Sequence, residues 1–91
     1  MPALRMFLRW PDGKAAAYYS PSTIVTSYFE PGQTYPLVDF TARARSAFVA
    51  ASERVRQVHG VPCSRAAASL AEIEACAAMH GAGDVTIEKF E

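Results

Sequence analysis

No stretch of this 91-residue chain approaches the ~20 consecutive apolar residues of a membrane-crossing helix. The start, "MPALRMFLRWPDG", has a short apolar patch broken by Arg5 and Arg9, with no long apolar segment leading to a cleavage site. It does not read as a signal peptide, and a cytoplasmic protein is expected. There is no dense Lys/Arg cluster, which argues against nucleic acid as a partner. No glycine-rich phosphate loop is present, since "PDG" is a turn. Cysteine and histidine number two each. There is no Cys-x-x-Cys motif, and His59, Cys63 and His80 match no common zinc spacing, so neither a metal nor a cofactor is expected. No paired carboxylates and no nucleophile–base–orienter set stand out.

What is present is an ordinary globular composition, 51% apolar and 20% charged with zero net charge. That composition excludes a disordered chain. The length suits one domain over residues 1–91, with a modest core that buries about 60–65% of the unfolded surface. The zero hides an asymmetry. Residues 1–65 hold eight Arg/Lys against four Asp/Glu, and residues 66–91 hold one Lys against five Asp/Glu. Pairing between the two segments explains this, and so does a basic face that meets an anion or acidic partner.

"LRMFLRW" alternates, with Leu4, Met6, Leu8 and Trp10 on one face and Arg5, Phe7 and Arg9 on the other. That period of two predicts a half-buried strand. "PDG" turns the chain, and "AAAYYS" returns as a second strand with Tyr18 and Tyr19 on opposite faces. A hairpin alone is marginal, so it needs a further strand or a helix. Ser20 as a cap and Pro21 at a first helical position predict a short helix over "STIVTSYF", closed by "EPG".

From Pro36 to Gly60 the spacing predicts a long amphipathic helix. Leu37, Phe40, Ala44, Ala47, Phe48, Ala51, Val55 and Val58 fall in one arc. Arg43 and Arg54 line one flank of it, and Arg45 and Arg56 the other. A second, Ala-rich helix follows, with Ser64 as N-cap or Cys63 as the boundary residue. Its inner stripe is Ala66, Leu70, Ile73, Ala77 and Cys76. "DVTIEKFE" reads as a third strand with Val85 and Ile87 on one face. The expected fold is therefore two-layer α+β. An N-terminal β-hairpin plus a C-terminal third strand packs against one short and two longer helices. The edge taken by the third strand is not readable.

Three places carry candidate chemistry. Cys63 stands at a helix start, where free amides and the dipole favour negative charge and Arg65 could add to the effect. The bland alternative is a loop cysteine packed beside the helix. Cys76 lies thirteen residues further on, about 20 Å along a helix, well beyond the ~7 Å limit of a disulfide. The same start, with Ser64 and Arg65, could instead hold an anion without catalysis. Around the aromatic run, Tyr28 and Tyr35 with Arg43 or Arg54 could line a polar pocket or an interface; otherwise they are core and surface residues.

The chain also resembles a small bacterial family of nitrogen-starvation response proteins. The resemblance rests on "RWPDG" (9–13), "YSPSTIV" (19–25), "YFEPGQTYPLVDF" (28–40), "ASERVR" (51–56), "CSRA" (63–66) and "LAEIEA" (70–75). It implies genes neighbouring a nitrilase-like enzyme, a radical SAM protein, an acetyltransferase-like protein and a flavin-dependent oxidoreductase. It carries no catalytic residue across. The expected function is a non-catalytic accessory or interaction protein for an enzyme of nitrogen or nitrile-related metabolism, through self-association or a partner enzyme. The alternative is a small-molecule anion binder, or a minor enzyme using Cys63, Ser64 and Arg65.

Overall fold

A computed structural model describes residues 3–91. Strand β1 (Leu4–Arg9) and strand β2 (Ala15–Ser20) form the expected hairpin, pairing antiparallel with Arg5 opposite Tyr19 and Phe7 opposite Ala17. The turn closes through Gly13, at φ +87°, and the Asp12 carboxylate accepts from the Lys14 amide. Met6, Leu8, Trp10 and Tyr18 are buried, whereas Arg5 and Arg9 are exposed. The period-two reading therefore holds.

The expected short helix is a 3-10 turn, Thr23–Ser27. The cap is also two residues later than Ser20. Ser22 Oγ accepts from the Ile24 amide at 3.2 Å. Ser20 instead ends β2, fully buried, and donates to the Ser22 carbonyl at 2.7 Å. The β-branched run Thr23-Ile24-Val25-Thr26 disfavours a regular helix, and only one tight turn forms.

A strand the sequence did not announce, β3 (Thr34–Pro36), precedes helix α1 (Leu37–His59). Helix α2 (Ser64–His80) and strand β4 (Asp84–Phe90) follow. The sheet has four strands, not three, in the order β2-β1-β4-β3, all antiparallel. The C-terminal strand thus takes an inner position between β1 and β3. β3 is short and on an edge, where its terminal proline costs no ladder bond.

The β1–β4 register slips between Phe7 and Leu8, which face Lys89 and Ile87. A bulge at Glu88 puts two successive side chains on the open face. Glu88 pairs with Arg9, and Lys89 lies 4.9 Å above the Phe7 ring. This is why the inward residues of β4 run Val85, Ile87, Phe90 rather than in strict alternation.

Both helices cover the inner sheet face, and their stripes join one apolar cluster with the strands. α1 ends at Gly60, φ +87°, whose amide bonds to the Arg56 carbonyl. Its buried stripe stops at Ala51. Val55 is only half-buried, and Val58 is 61% exposed, so the apolar stripe runs on past its buried part. α2 buries Ala66, Ile73 and Ala77 as expected, with Leu70 and Cys76 packed at the margin. It also buries Ser69, which the stripe missed. No described helix is long and apolar enough to cross a membrane.

Candidate functional site

Cys63, Ser64 and Arg65 stand at the start of α2. Cys63 occupies the cap position in extended geometry and makes no side-chain cap bond; Ser64 is the first helical residue rather than the cap. No acidic side chain lies in the first turn. Both cysteines are free. Arg65 is engaged elsewhere, its guanidinium carbon 3.7 Å from the centre of the Tyr19 ring. One turn on, Ser69 Oγ donates to the Tyr19 carbonyl at 2.7 Å. Positions i and i+4 share a helix face, so α2 grips one residue of β2 twice. Since β2 is an edge strand, the Ser69 bond also caps an edge carbonyl that would otherwise invite another chain.

The aromatic stretch is a clamp built around Arg43. Its guanidinium lies 4.9 Å from the Tyr35 ring centre, bonds Asp39 at 3.0 Å and donates to the Tyr28 carbonyl at 3.2 Å. The Tyr35 hydroxyl accepts from the Glu30 amide at 3.0 Å. These bonds fasten the loop before β3 to α1. Tyr28 and Tyr35 pack partly against the core. Arg54 is exposed further along α1, more than two turns from Arg43, with no carboxylate partner among the described residues.

A third cluster escaped the sequence reading. Cys76 Sγ and His80 Nε2 are 3.7 Å apart on successive turns of α2. The His80 ring stacks on Trp10 with centroids 5.4 Å apart and planes 12° from parallel. The signal was the i, i+4 spacing of Cys76 and His80 in a helix already foreseen. Burial pushes the Cys76 thiol above its ordinary range, and the charge of Asp12 adds to the rise. The thiol therefore keeps its proton at neutral pH, which makes it a weak nucleophile.

A further unusual surface is the outward side of the helix pair. On α2 it carries Ala67, Ala71, Ala75, Ala78 and Met79, all exposed, and no charge along that arc. Beside it on α1 stand Val38, 83% exposed, and Val49. Between the helices runs an open groove of about 450 Å³ lined by Val38, Thr41, Ala42, Ala77 and Ala78. Arg45 and Glu74 pair across its wall. An outward helix face is normally polar, so this one is out of pattern for a surface meant only for water.

The charge asymmetry resolves in part by pairing. Arg9–Glu88 and Arg45–Glu74 join the basic and acidic segments, while Arg43–Asp39, Arg56–Glu53 and Lys89–Glu91 are local. All are exposed enough that each contributes little to stability.

No curated protein and no solved structure matches the chain. A family model does match, over residues 5–90, and its description is nitrogen starvation-induced protein NitG. That span takes in both helices, nearly the whole sheet, and the Tyr19–Arg65, Arg43 and Cys76–His80 clusters. On that match the chain belongs to the family of the nitrogen starvation-induced protein NitG.

Proposed function

We propose that the chain is a non-catalytic accessory protein of nitrogen or nitrile-related metabolism, docking on a partner enzyme through the outward face of its helix pair. The observation that carries this reading is the uncharged arc Ala67, Ala71, Ala75, Ala78 and Met79 next to exposed Val38 and Val49. Small side chains let a partner's backbone approach closely, and Val38 and Met79 supply the apolar area that association would bury. Arg45 and Glu74 at the groove can pair with rim charges of either sign. Expression under nitrogen starvation, as the family description has it, fits a protein that adjusts an enzyme already present. A catalytic role for Cys63 with Ser64 and Arg65 has less support, because Arg65 is held on Tyr19.

The test is affinity isolation of the tagged chain from nitrogen-starved cells of its own host. The wild type is compared with a Val38→Glu/Ala75→Glu variant. Both positions are exposed on helices, so the variant keeps its fold. The proposal expects one metabolic enzyme in near-equal molar amount with the wild type and its loss with the variant. Recovery of that enzyme by both proteins would overturn the choice of face. Recovery of the chain alone, or of a second copy alone, would overturn the accessory role.

A further inference from the structure

Four arginines have a carboxylate partner: Arg9 with Glu88, Arg43 with Asp39, Arg45 with Glu74 and Arg56 with Glu53. Arg5, Arg54 and Arg65 have none among the described residues. Arg54 stands alone on α1, but Arg5 and Arg65 come together. Arg5 is the direct cross-strand neighbour of Tyr19, on the open face of the sheet. Arg65 reaches the same tyrosine from α2 and lies over its ring. Two adjoining grooves, of about 330 and 340 Å³, both have Arg5, Tyr19 and Arg65 in their walls. Each volume is near the lower end of the roughly 300–1,000 Å³ typical of small-ligand sites.

We propose that Arg5 and Arg65, on either side of Tyr19, bind the oxyanion group of a small organic acid, a carboxylate or a phosphate. Neither guanidinium is in an ion pair among the described residues, so both repel along the shared groove, and an oxyanion between them offsets that repulsion while accepting paired N–H donors from both. Tyr19 keeps Arg65 in place, since stacking on the ring holds the planar guanidinium while its N–H edge stays free. Phe7 supplies an apolar wall in one groove for the remainder of the ligand. Glu91 stands in the wall of that groove and Glu72 in the wall of the other. Acidic residues there repel a long polyanion, so a compact acid fits and a nucleic-acid backbone does not. The site lies on a different surface from the outward helix face and stands without it.

The test is a titration of the full isotope-labelled chain with succinate and, separately, with inorganic phosphate at constant ionic strength, followed by NMR. The expected result is saturable shifts at the amides of Arg5, Tyr19 and Arg65 with at least one of the two anions. Arg5→Gln and Arg65→Gln should each weaken that binding by about tenfold or more, and Arg54→Gln should leave it unchanged. If only one anion saturates, it identifies the oxyanion. Non-saturating shifts with both anions, or equal weakening by Arg54→Gln and Arg65→Gln, would overturn the site.

Discussion

The indole N–H of Trp10 donates to the hydroxyl of Tyr18 at 3.2 Å, a buried hydrogen bond across the base of the first hairpin. The rings meet edge to face, with centroids 6.4 Å apart. Burial raises the Tyr18 pKa, and the Trp10 bond opposes that rise only in part. A phenol with a raised folded-state pKa favours the folded state while it stays neutral. Its contribution is whole below the ordinary tyrosine pKa and is lost as pH climbs through the folded value. Tyr18→Phe should therefore flatten the alkaline limb of stability against pH. At neutral pH it should cost about 1 kcal/mol, because the Trp10 donor loses its partner. Urea melts from pH 7 to pH 11 check both. An alkaline limb as steep in the variant as in the wild type contradicts the assignment.

Gly83 holds the loop before β4 against the "PDG" turn. A Cβ built there would lie 2.6 Å from Pro11 Cβ, and its φ of +116° is one that side-chain-bearing residues rarely adopt. The Gly83 carbonyl also accepts from the Leu37 amide at 2.9 Å, tying the start of α1 to the same loop. Gly83→Ala should cost roughly 1–3 kcal/mol. Gly32→Ala, with φ +85° and open space around it, should cost less, about 1 kcal/mol. Equal shifts of the urea midpoint in the two variants would show that the Pro11 contact is relieved without strain.

Cys76 should behave as a protonated, shielded thiol. In a Cys63→Ser background, iodoacetamide at pH 8 should alkylate it more slowly in the folded chain than in urea. The folded rate should go on rising with pH beyond the ordinary thiol range, because burial holds the pKa up. A folded rate matching the unfolded one would mean that the site opens freely to solvent.

Arg43 should matter for local order rather than for ligand binding. Arg43→Ala removes the ring contact with Tyr35, the Asp39 pair and the bond to the Tyr28 carbonyl together. The loss should be about 1 kcal/mol. Hydrogen exchange should quicken at the Glu30 amide, which Tyr35 holds, and leave β1 and β2 unchanged. A uniform rise across the sheet would assign Arg43 to global stability instead.

β1 was legible because it reads in strict alternation, and β2 because it returns directly after a turn with Gly13 in the left-handed region. α1 was legible from Pro36 to Gly60 because a 3.6-residue stripe is bracketed by a starter and a stop. β3 was not, since three residues ending in proline carry no periodicity. The inner position of β4 depends on contacts some 80 residues apart, which no local pattern holds. Val55 and Val58 continue the α1 stripe past Ala51, its last buried residue, so pattern alone overstates their burial. For the sites, Arg65 was noticed for its helix start. Its tie to Tyr19 and its meeting with Arg5 are tertiary: the β1–β2 hairpin sets Arg5 beside Tyr19, but only the packing of α2 on β2 brings Arg65 to them. The bare outer face of α2 was visible as many alanines, but which of them face outward depends on where the sheet lies.

The measurement that bears most directly on the accessory role is site-specific photocrosslinking in nitrogen-starved cells of the native host. A photoreactive residue is placed at Ala75, on the outward helix face, and in a second strain at Ala17, on the open sheet face. Docking through the helix pair predicts a crosslink from Ala75 to one metabolic enzyme and none to that enzyme from Ala17. A crosslink to the enzyme from Ala17 only, or none from either position, would contradict it.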